Sequence, residues 1–286
     1  MTIYCLGSIN VDVTYKVARL PLPGETIVAE TVGRGLGGKG ANQSAAAARA
    51  GAKVVHIGRI GADGDWCLAE LTGFGVDCSH VSQAEGPSGH AIIHVDAAGE
   101  NMITVFAGAN AEQDMGRIDA ALAEAVPGDW LVLQNETSHQ ETAARLAHGK
   151  GLRVAYSAAP FDAEALRHVL PYVSLLLLNE GEFAALGAAH IALPEGCAIV
   201  VTQGAAGSMW RQGDVSLDQP GFAVDAVDST GAGDCFAGYL VAGLDAGASP
   251  EAALQRATAA AAISVTRPGA ANALPARDEV TRFLSR

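Results

Sequence analysis

Short apolar segments alternate with helical patterns along most of the chain. Six runs are largely apolar, as strands buried on both faces of a sheet are; they cover residues 3–6, 54–57, 130–133, 153–156, 175–178 and 198–201. Between them, apolar residues recur at helical spacing over 41–50, 65–74, 115–125, 140–148 and 162–170. This alternation predicts an α/β fold with a mostly parallel sheet covered by helices on both faces.

Two stretches depart from this pattern. Residues 11–33 and 89–106 alternate apolar and polar positions and are interrupted by Gly, Pro and Asp, which is typical of half-exposed strands. We expect a small antiparallel β lid from segments near 11–36 and 88–107. After residue 230 the pattern is almost wholly helical, over 232–245, 250–265 and 277–284. One domain over residues 1–286, with the lid as part of it, is therefore expected.

Composition excludes several classes of function. Hydrophobic residues make up 49% of the 286 residues, which supplies a large core and excludes general disorder. The net charge of −13 argues against a nucleic-acid partner or a basic membrane-binding surface. No signal peptide and no membrane-spanning run are evident. Five widely spaced cysteines form no C-x-x-C pair, so we expect no disulfide framework and a cytoplasmic location.

The first glycine-rich segment, 33–40, leaves three interpretations open. It matches G-x-G-x-x-G, but no buried strand precedes it as in a dinucleotide-binding site. It also approaches a P-loop, but Gly40 stands where that loop needs a hydroxyl for magnesium. The third interpretation is a tight turn into the following helix, with backbone close to a small polar ligand. Asn42 would then meet sugar hydroxyls or merely help the helix to begin.

The second glycine-rich segment, 228–234 (DSTGAGD), opens the helix predicted over 232–245. The N–H groups of Gly231, Ala232 and Gly233 can point at one spot with the positive end of the helix dipole behind them. Such a spot suits a transferring phosphoryl group. Asp234 beside it can take a proton from an attacking hydroxyl. The competing interpretation is a helix N-cap, for which the residues before Gly231 suffice.

Two further segments follow buried strands. Asn179 and Glu182 lie where α/β proteins bind ligands, and they could order waters around Mg²⁺ or cap a short helix. Residues 202–207 (TQGAAG) suit a phosphate or nucleotide loop, although a G-x-x-G alone is a weak signal.

Taken together, these segments resemble the ribokinase-like (PfkB) carbohydrate kinases over nearly the whole chain. The resemblance rests on GSINVD (7–12), PGET (23–26), GGKGANQ (37–43), AGAN (107–110), NEGE (179–182), DSTGAGD (228–234) and residues 259–269. GGKGANQ and DSTGAGD, in this order, are the most specific. The resemblance implies a three-layer α/β/α fold and transfer of the γ-phosphate of ATP to a primary hydroxyl of a small sugar.

The resemblance also implies roles for individual residues. Asp234 is then the base, and the anion hole comprises Gly231, Ala232 and Gly233. The implied sugar-binding residues are Asn10, Asp12, Gly38, Lys39, Asn42 and Glu136, with Ala91 and Ile93 as an apolar lid wall. The implied ATP-binding residues are Asn179, Thr202, Gly204, Gly207, Gly233 and Thr258. Glu182 would hold Mg²⁺ through water. The implied potassium site, formed mostly by backbone, comprises Asp228, Thr230, Ser264, Arg267 and Gly269.

Three departures from the family pattern stand out. The interval 179–202 is short for the strand and helix that the family usually has there. Ala273 stands where a hydroxyl helps to hold the cation, which puts the potassium requirement in doubt. Ser157-Ala158-Ala159-Pro160 replaces an Asn-Pro-Ala-Pro pattern. Changes of this kind fit either a different sugar or simple drift.

The leading hypothesis is therefore an ATP-dependent kinase that converts D-ribose to D-ribose 5-phosphate. Fructose, 2-keto-3-deoxygluconate or a nucleoside are alternatives within the same reaction class. A sugar- or nucleotide-binding protein that has lost catalysis is a further alternative, against which the intact Asp234 and anion loop argue. The family also implies a homodimer through the lid. His90, Ile92 and His94 would face the partner or, alternatively, solvent.

Overall fold

A computed structural model describes all residues 1–286. Its strands are, in chain order, β1 (Thr2–Leu6), β2 (Asn10–Lys16), β3 (Thr31–Gly37), β4 (Lys53–Ile60), β5 (Asp77–Gln83), β6 (Gly89–Val95), β7 (Asn101–Phe106), β8 (Trp130–Gln134), β9 (Arg153–Ser157), β10 (Leu175–Asn179), β11 (Ala198–Thr202), β12 (Gly207–Gln212) and β13 (Val215–Pro220). Its helices are α1 (Lys39–Arg49), α2 (Asp65–Gly73), α3 (Met115–Glu124), α4 (Gln140–Gly149), α5 (Ala163–Val169), α6 (Glu180–Ala188), α7 (Ala232–Asp245), α8 (Pro250–Ser264) and α9 (Arg277–Leu284).

Nine strands form the main sheet, in the order β13-β12-β11-β10-β9-β8-β1-β4-β5. Neighbours from β11 to β5 pair in parallel, and β12 and β13 pair antiparallel at one edge. All six predicted strands are present in it. The three strands that the pattern did not predict are β5, β12 and β13, which carry polar or exposed residues at or near the sheet edges.

The core has two layers, one on each face of the main sheet. Along β1, Ile3 and Cys5 join the apolar cluster that contains α1, α7 and α8 residues. Tyr4 and Leu6 join the opposite cluster, which contains α3, α4 and α5 residues. Because successive side chains of a strand point to opposite faces, these strands must be apolar throughout. The predicted three-layer α/β/α architecture is confirmed.

A second sheet of four strands, β3-β2-β6-β7, comes from the two alternating stretches. Its outer pairs, β2 with β3 and β6 with β7, are antiparallel as expected. The central pair, β2 with β6, is parallel, because the two hairpins lie side by side with their first strands running in the same direction. The small sheet is thus two antiparallel hairpins joined by one parallel pairing.

The predicted helices are present with shifted ends. Helix α1 begins at Lys39, and α5 ends at Val169 before a short 3₁₀ turn that contains Pro171. The short interval after β10 holds α6, which the apolar periodicity did not predict. None of the nine helices combines the length and the apolar character needed to cross a lipid bilayer.

Candidate active site

The glycines before α1 let its first turn pass close to the end of β1. Gly38 is the N-cap, with φ +92°, and a Cβ there would lie 2.8 Å from the Ser8 carbonyl oxygen. A Cβ on Gly40 would overlap the backbone of Gly7. Only glycine fits these two positions, as the tight-turn interpretation requires. The preceding β3 is a mostly exposed strand at the edge of the four-stranded sheet, which argues against a dinucleotide-binding unit. The turn brings Asn42 and Gln43 towards α7.

Asp234 lies in the first turn of α7, partly buried, and α1 holds its carboxylate. Asn42 Nδ2 donates to Asp234 Oδ2 at 3.1 Å, and Gln43 Nε2 donates to Asp234 Oδ1 at 2.9 Å. Loss of solvent raises the pKa of Asp234 to about 6, although Lys39 and the two amides oppose the shift. A carboxylate with this pKa is ionised at neutral pH and can still accept a proton.

The three small residues before Asp234 lie at the positive end of α7. Gly231 is the N-cap, with φ +72°, and Gly233 occupies a position whose amide has no intrahelical partner. The N–H of Ala232 donates to the Ser229 carbonyl at 3.2 Å. Of the three amides predicted to form an anion hole, the Ala232 amide is therefore engaged within the turn, and those of Gly231 and Gly233 are the two left for a ligand.

A cavity of about 330 Å³ opens in front of this helix end. Among the residues that line it are Lys39, Asn179, Glu182, Thr202, Gly231, Gly233 and Asp234. Residues from four separate sequence segments therefore meet around one space next to the candidate base. The space and the helix dipole suit a phosphate chain.

Lys39 and Glu136 form the centre of a polar cluster beside this cavity. Lys39 Nζ lies 3.1 Å from Glu136 Oε1. Glu136 Oε2 accepts from the Lys39 backbone N–H at 3.1 Å and from the Ser8 hydroxyl. Asn10 is buried beside them, and its Oδ1 accepts from Asn110 Nδ2 at 2.7 Å. The Asn10 amide nitrogen is left to donate to a ligand.

Asp12 completes the cluster from β2. Its Oδ1 is buried with no hydrogen-bond partner, which is a costly state for a carboxylate oxygen unless a ligand supplies a donor. Burial and the charge of Glu136 raise the pKa of Asp12 to about 7, while Lys39 opposes the shift. A Cβ on Gly37 would overlap the Asp12 carboxylate, so glycine at 37 makes the space for it. The orphaned oxygen fits a hydroxyl donor from a sugar.

The two predicted lid-wall residues lie on the face of the small sheet that carries Asp12. Ala91 is the register partner of Asp12, and Ile93 is the partner of Thr14. Ala91 is buried and Ile93 is half-buried. A second cavity, of about 460 Å³, lies beside this face and has Asn10, Glu136 and the lid residue Val105 in its lining. The polar cluster therefore lies between two cavities.

Asn179 and Glu182 cap α6 as well as lining the first cavity. Asn179 Oδ1 accepts from Glu182 N–H at 2.8 Å, and Glu182 Oε2 accepts from Asn179 N–H at 2.8 Å. The helix-cap interpretation is thus realised in the structure. Glu182 still offers a hard carboxylate oxygen at the cavity, which fits Mg²⁺ held through water.

The remaining nucleotide-binding candidates lie apart from that cavity. Its lining includes Thr202 but not Gly204, Gly207 or Thr258. Thr258 is buried on α8, where its hydroxyl pairs with the Ser208 hydroxyl at 3.0 Å. Gly207, with φ +114°, makes a turn in which a Cβ would overlap the Gln219 carbonyl oxygen. Their contacts in the structure are those of turn and packing residues.

The candidate potassium residues join two loops behind the anion hole. Asp228 Oδ1 accepts from Thr230 N–H at 2.9 Å, and Oδ2 accepts from Gly269 N–H at 2.8 Å. These hydrogen bonds hold the pKa of Asp228 below its usual value although burial opposes them. Ser264 Oγ donates to a carbonyl of its own helix, and Arg267 pairs with Glu279 at 2.6 Å.

An ionised carboxylate between two loops fits a monovalent cation that backbone carbonyls would complete, as the resemblance implies. Ala273, whose buried methyl group offers no oxygen, removes one ligand from that set. No group of three or more His, Cys, Asp or Glu side chains is arranged to hold a metal ion.

Four site residues received no role from the sequence. They are Ser8, Gln43, Asn110 and Gln134. Gln43 follows Asn42 in the glycine-rich segment, and Asn110 lies in the AGAN segment, so both belong to recognised motifs. Ser8 belongs to the GSINVD segment. Gln134 alone gave no signal, because its role depends on contacts with residues far along the chain.

Comparison with known proteins agrees with this geometry. Residues 2–277 match the family described as pfkB family carbohydrate kinase. The ribokinase of Haemophilus influenzae is 34% identical over 302 residues, which cover 99% of this chain and 98% of that protein. The deoxyribokinase of Salmonella typhi is 32% identical over 307 residues, which cover 100% of this chain and 99% of that protein.

A solved structure shows the same architecture. The ribokinase of Arabidopsis thaliana, complexed with ribose and ATP, superposes with a TM-score of 0.87 and 28% identity, over 99% of this chain and 98% of that one. One family accounts for the fold, for the motif residues around Asp234 and for the similarity to relatives of equal length. The chain belongs to the pfkB family of carbohydrate kinases.

Proposed function

We propose that this carbohydrate kinase phosphorylates D-ribose at its primary hydroxyl, with ATP as the donor. The observation that carries the proposal is the position of Asp234. Its carboxylate lies at the end of α7, next to the phosphate-sized cavity, and two amides of α1 hold it beside the polar cluster of Asp12, Lys39 and Glu136. The ribokinase solved with ribose and ATP supports both ligands.

The reaction follows from this placement. Asp234 accepts the proton of the primary hydroxyl as that oxygen attacks the γ-phosphorus. The bond from the γ-phosphorus to the β–γ bridging oxygen breaks, and ADP leaves with the electron pair. The amides at Gly231 and Gly233 and the α7 dipole stabilise the negative charge on the transferring group. The protein contributes mainly position and electrostatics.

Cations would assist at two points. Mg²⁺ bound to the nucleotide would neutralise phosphate charge, and Glu182 is the residue that would hold it through water. A monovalent cation at Asp228 would add positive field behind the anion hole without touching the substrate. Equal kcat values in KCl and NaCl across a titration would contradict that second site.

We propose that the four-stranded sheet is a lid within a single domain and that its outer face forms a homodimer. This outer lid face carries residues from all four strands: Val32, Tyr15, His90, Ile92, His94, Met102 and Phe106. Tyr15 stacks on His94 with ring centroids 5.6 Å apart, and His90 packs on Phe106 at 5.1 Å. Exposed Val32, Met102 and Phe106 support a partner there.

The five unpaired cysteines support a reducing, cytoplasmic location.

A second candidate substrate is 2-deoxy-D-ribose, because the deoxyribokinase relative is nearly as similar as the ribokinase. The orphaned Asp12 oxygen favours the sugar with more hydroxyls, since a buried acceptor left unpaired weakens binding.

A sugar panel with coupled detection of ADP decides between these candidates. It comprises D-ribose, 2-deoxy-D-ribose, D-fructose, 2-keto-3-deoxygluconate and a nucleoside. We expect the highest kcat/KM with D-ribose and a product phosphorylated at O5. A preference for another sugar would overturn the ribose assignment, and sugar binding without turnover of any sugar would indicate a protein that has lost catalysis.

A further inference from the structure

A chain of two buried amides leads from Asp234 into the core. Gln43 Nε2 donates to Asp234 Oδ1 at 2.9 Å, and Gln43 Oε1 accepts from Gln134 Nε2 at 2.8 Å. Gln134 Nε2 also donates to Cys5 Sγ at 3.5 Å. Gln43 is 2% exposed and Gln134 is fully buried, so water does not compete for these contacts. The carboxylate is thus tied to the middle of the sheet through two side chains.

The direction of the hydrogen bonds along this chain is fixed by the charge at its end. An ionised carboxylate only accepts hydrogen bonds, so Gln43 must present its NH₂ group to Asp234 and its oxygen to Gln134. A half-turn of the Gln43 amide would place its oxygen against the carboxylate. Gln134 donates to that oxygen and therefore opposes the half-turn. The inner amide orients the outer one.

Folding stability alone does not account for glutamine at 134. Its Oε1 is buried without a hydrogen-bond partner, which destabilises the fold. The packing around the chain is also tight, since a Cβ on Gly7 would lie 2.6 Å from that oxygen and a Cβ on Gly238 would lie 2.5 Å from the Gln43 carbonyl oxygen. A methionine of similar length would remove this orphaned oxygen but would leave the buried Gln43 Oε1 without its donor. The Gln134 amide therefore serves Gln43, and through Gln43 it serves Asp234.

We propose that Gln43 and Gln134 are positioning residues for phosphoryl transfer. In this proposal, which rests on the role of Asp234 as the base, Gln134 fixes the orientation of the Gln43 amide, and Gln43 holds the Asp234 carboxylate ionised and aimed at the sugar hydroxyl.

Charged and titratable groups also face Asp234 from the surrounding elements. Lys39 of α1 favours its ionised form, whereas Glu136 after β8 opposes it. Asp12 of β2, Cys5 of β1 and the neighbouring Cys235 couple to the same charge, and the pKa of each is raised mainly by burial. The fall in kcat/KM at low pH, called the acidic limb of the pH profile below, therefore reports the titration of this whole set of interacting groups. Amides do not titrate, so replacing them leaves these charges in place and changes only the hydrogen bonds.

The test is the pH profile of kcat/KM for D-ribose in Gln43→Met and Gln134→Met, with thermal melting as the check of folding. We expect the acidic limb to move to higher pH by about one unit in Gln43→Met, which loses a hydrogen bond to a charged group. Gln134→Met keeps the hydrogen bond from Gln43 to Asp234 but loses the bond that orients the Gln43 amide, together with the contact to Cys5, and we expect a shift of about half a unit. In both variants the loss of activity is greatest at low pH and becomes smaller as the pH rises.

Ser44→Ala is the matched control, because Ser44 is the next residue of α1, is equally buried, and bonds to His56 rather than to Asp234. Its acidic limb should stay in place. If Gln43→Met and Gln134→Met fold and their kcat/KM falls at the same low pH as in the wild type, the proposal is overturned. A loss of kcat/KM that is equal at every pH would also overturn it. If Gln43→Met does not fold, the limb of Gln134→Met decides alone. Full activity of Asp234→Asn would instead contradict the base itself.

Discussion

At the scale of single residues, folding and catalysis place opposite demands on the same two carboxylates. Asp234 and Asp12 have pKa values raised to about 6 and about 7 by loss of solvent. A group whose pKa is raised on folding favours the folded state below its unfolded pKa, and that contribution is lost as the pH rises through the folded value. Ionisation of the two side chains therefore lowers the stability of the fold as the pH rises from about 4 to about 7, and the loss persists at higher pH.

This conflict predicts that stability falls from about pH 4 to about pH 7, while kcat/KM rises in the upper part of that range, through about pH 6–7. It also predicts that Asp234→Asn, a neutral variant of the same shape, is more stable than the wild type at pH 8, by about 1–3 kcal/mol. The difference should shrink towards pH 4. Urea titrations at several pH values measure it, and a variant less stable than the wild type at pH 8 would contradict the assigned environment of Asp234.

Site residues that lie within a recognisable motif could be predicted from the sequence. Asp234, Gly231 and Asn42 are examples, since each lies in one of the two glycine-rich segments, where the proposed site residues and the turn that positions them are close together in sequence. Gln134 could not be found in this way, because it is the last residue of an apolar strand and meets Gln43 only through the fold.

At the scale of elements, the hairpin β2–β3 sets the space around Asp12, a proposed sugar ligand. Gly37→Ala would push a Cβ into the Asp12 carboxylate at the end of β3. We expect KM for D-ribose to rise about 10- to 100-fold, because small misplacements of binding groups are costly, while KM for ATP stays near the wild-type value.

The matched control is Gly33→Ala on the same strand, where the nearest atom to an added Cβ lies at 4.0 Å. This variant should resemble the wild type in both constants. Equal sugar KM values for Gly37→Ala and Gly33→Ala would show that Asp12 does not bind the sugar.

The outer lid face leads to a second element-scale prediction. Ile92→Asp places a charge in the middle of the apolar surface formed by β2, β6 and β7. We expect a dimer in the wild type and a monomer in this variant, as measured by sedimentation velocity. Val215→Asp, an exposed position on β13 away from the lid, is the control and should keep the dimer. A monomeric wild type would remove the proposed interface.

The elements that the sequence predicted well are those buried on both faces. Strands such as β1 and β10 are apolar throughout, so their pattern has no competing interpretation. Strands β5 and β13 lie at the two edges of the sheet and carry polar residues, which hid them. The parallel pairing of β2 with β6 was also missed, since pairing direction depends on how two distant hairpins leave the main sheet.

At the scale of the whole molecule, the net charge and the local charge around the proposed phosphate site differ. The net charge is −13, yet the cavity of about 330 Å³ has Lys39 and the glycines at the positive end of α7 in its lining, together with Glu182 and Asp234. Total charge therefore limits the partners of the protein without describing its site. The three-layer core fixes α1 against α7, which holds Asn42 and Gln43 beside Asp234.

The kcat of Asp234→Asn with D-ribose and ATP at pH 8 measures most directly whether Asp234 is the base. If Asp234 is the base, kcat falls about 10²- to 10⁴-fold while the affinity for ATP changes little. Asp218→Asn, an exposed carboxylate on β13, is the control and keeps the wild-type rate. An Asp234→Asn enzyme that turns over ribose within a few-fold of the wild-type kcat would contradict the account.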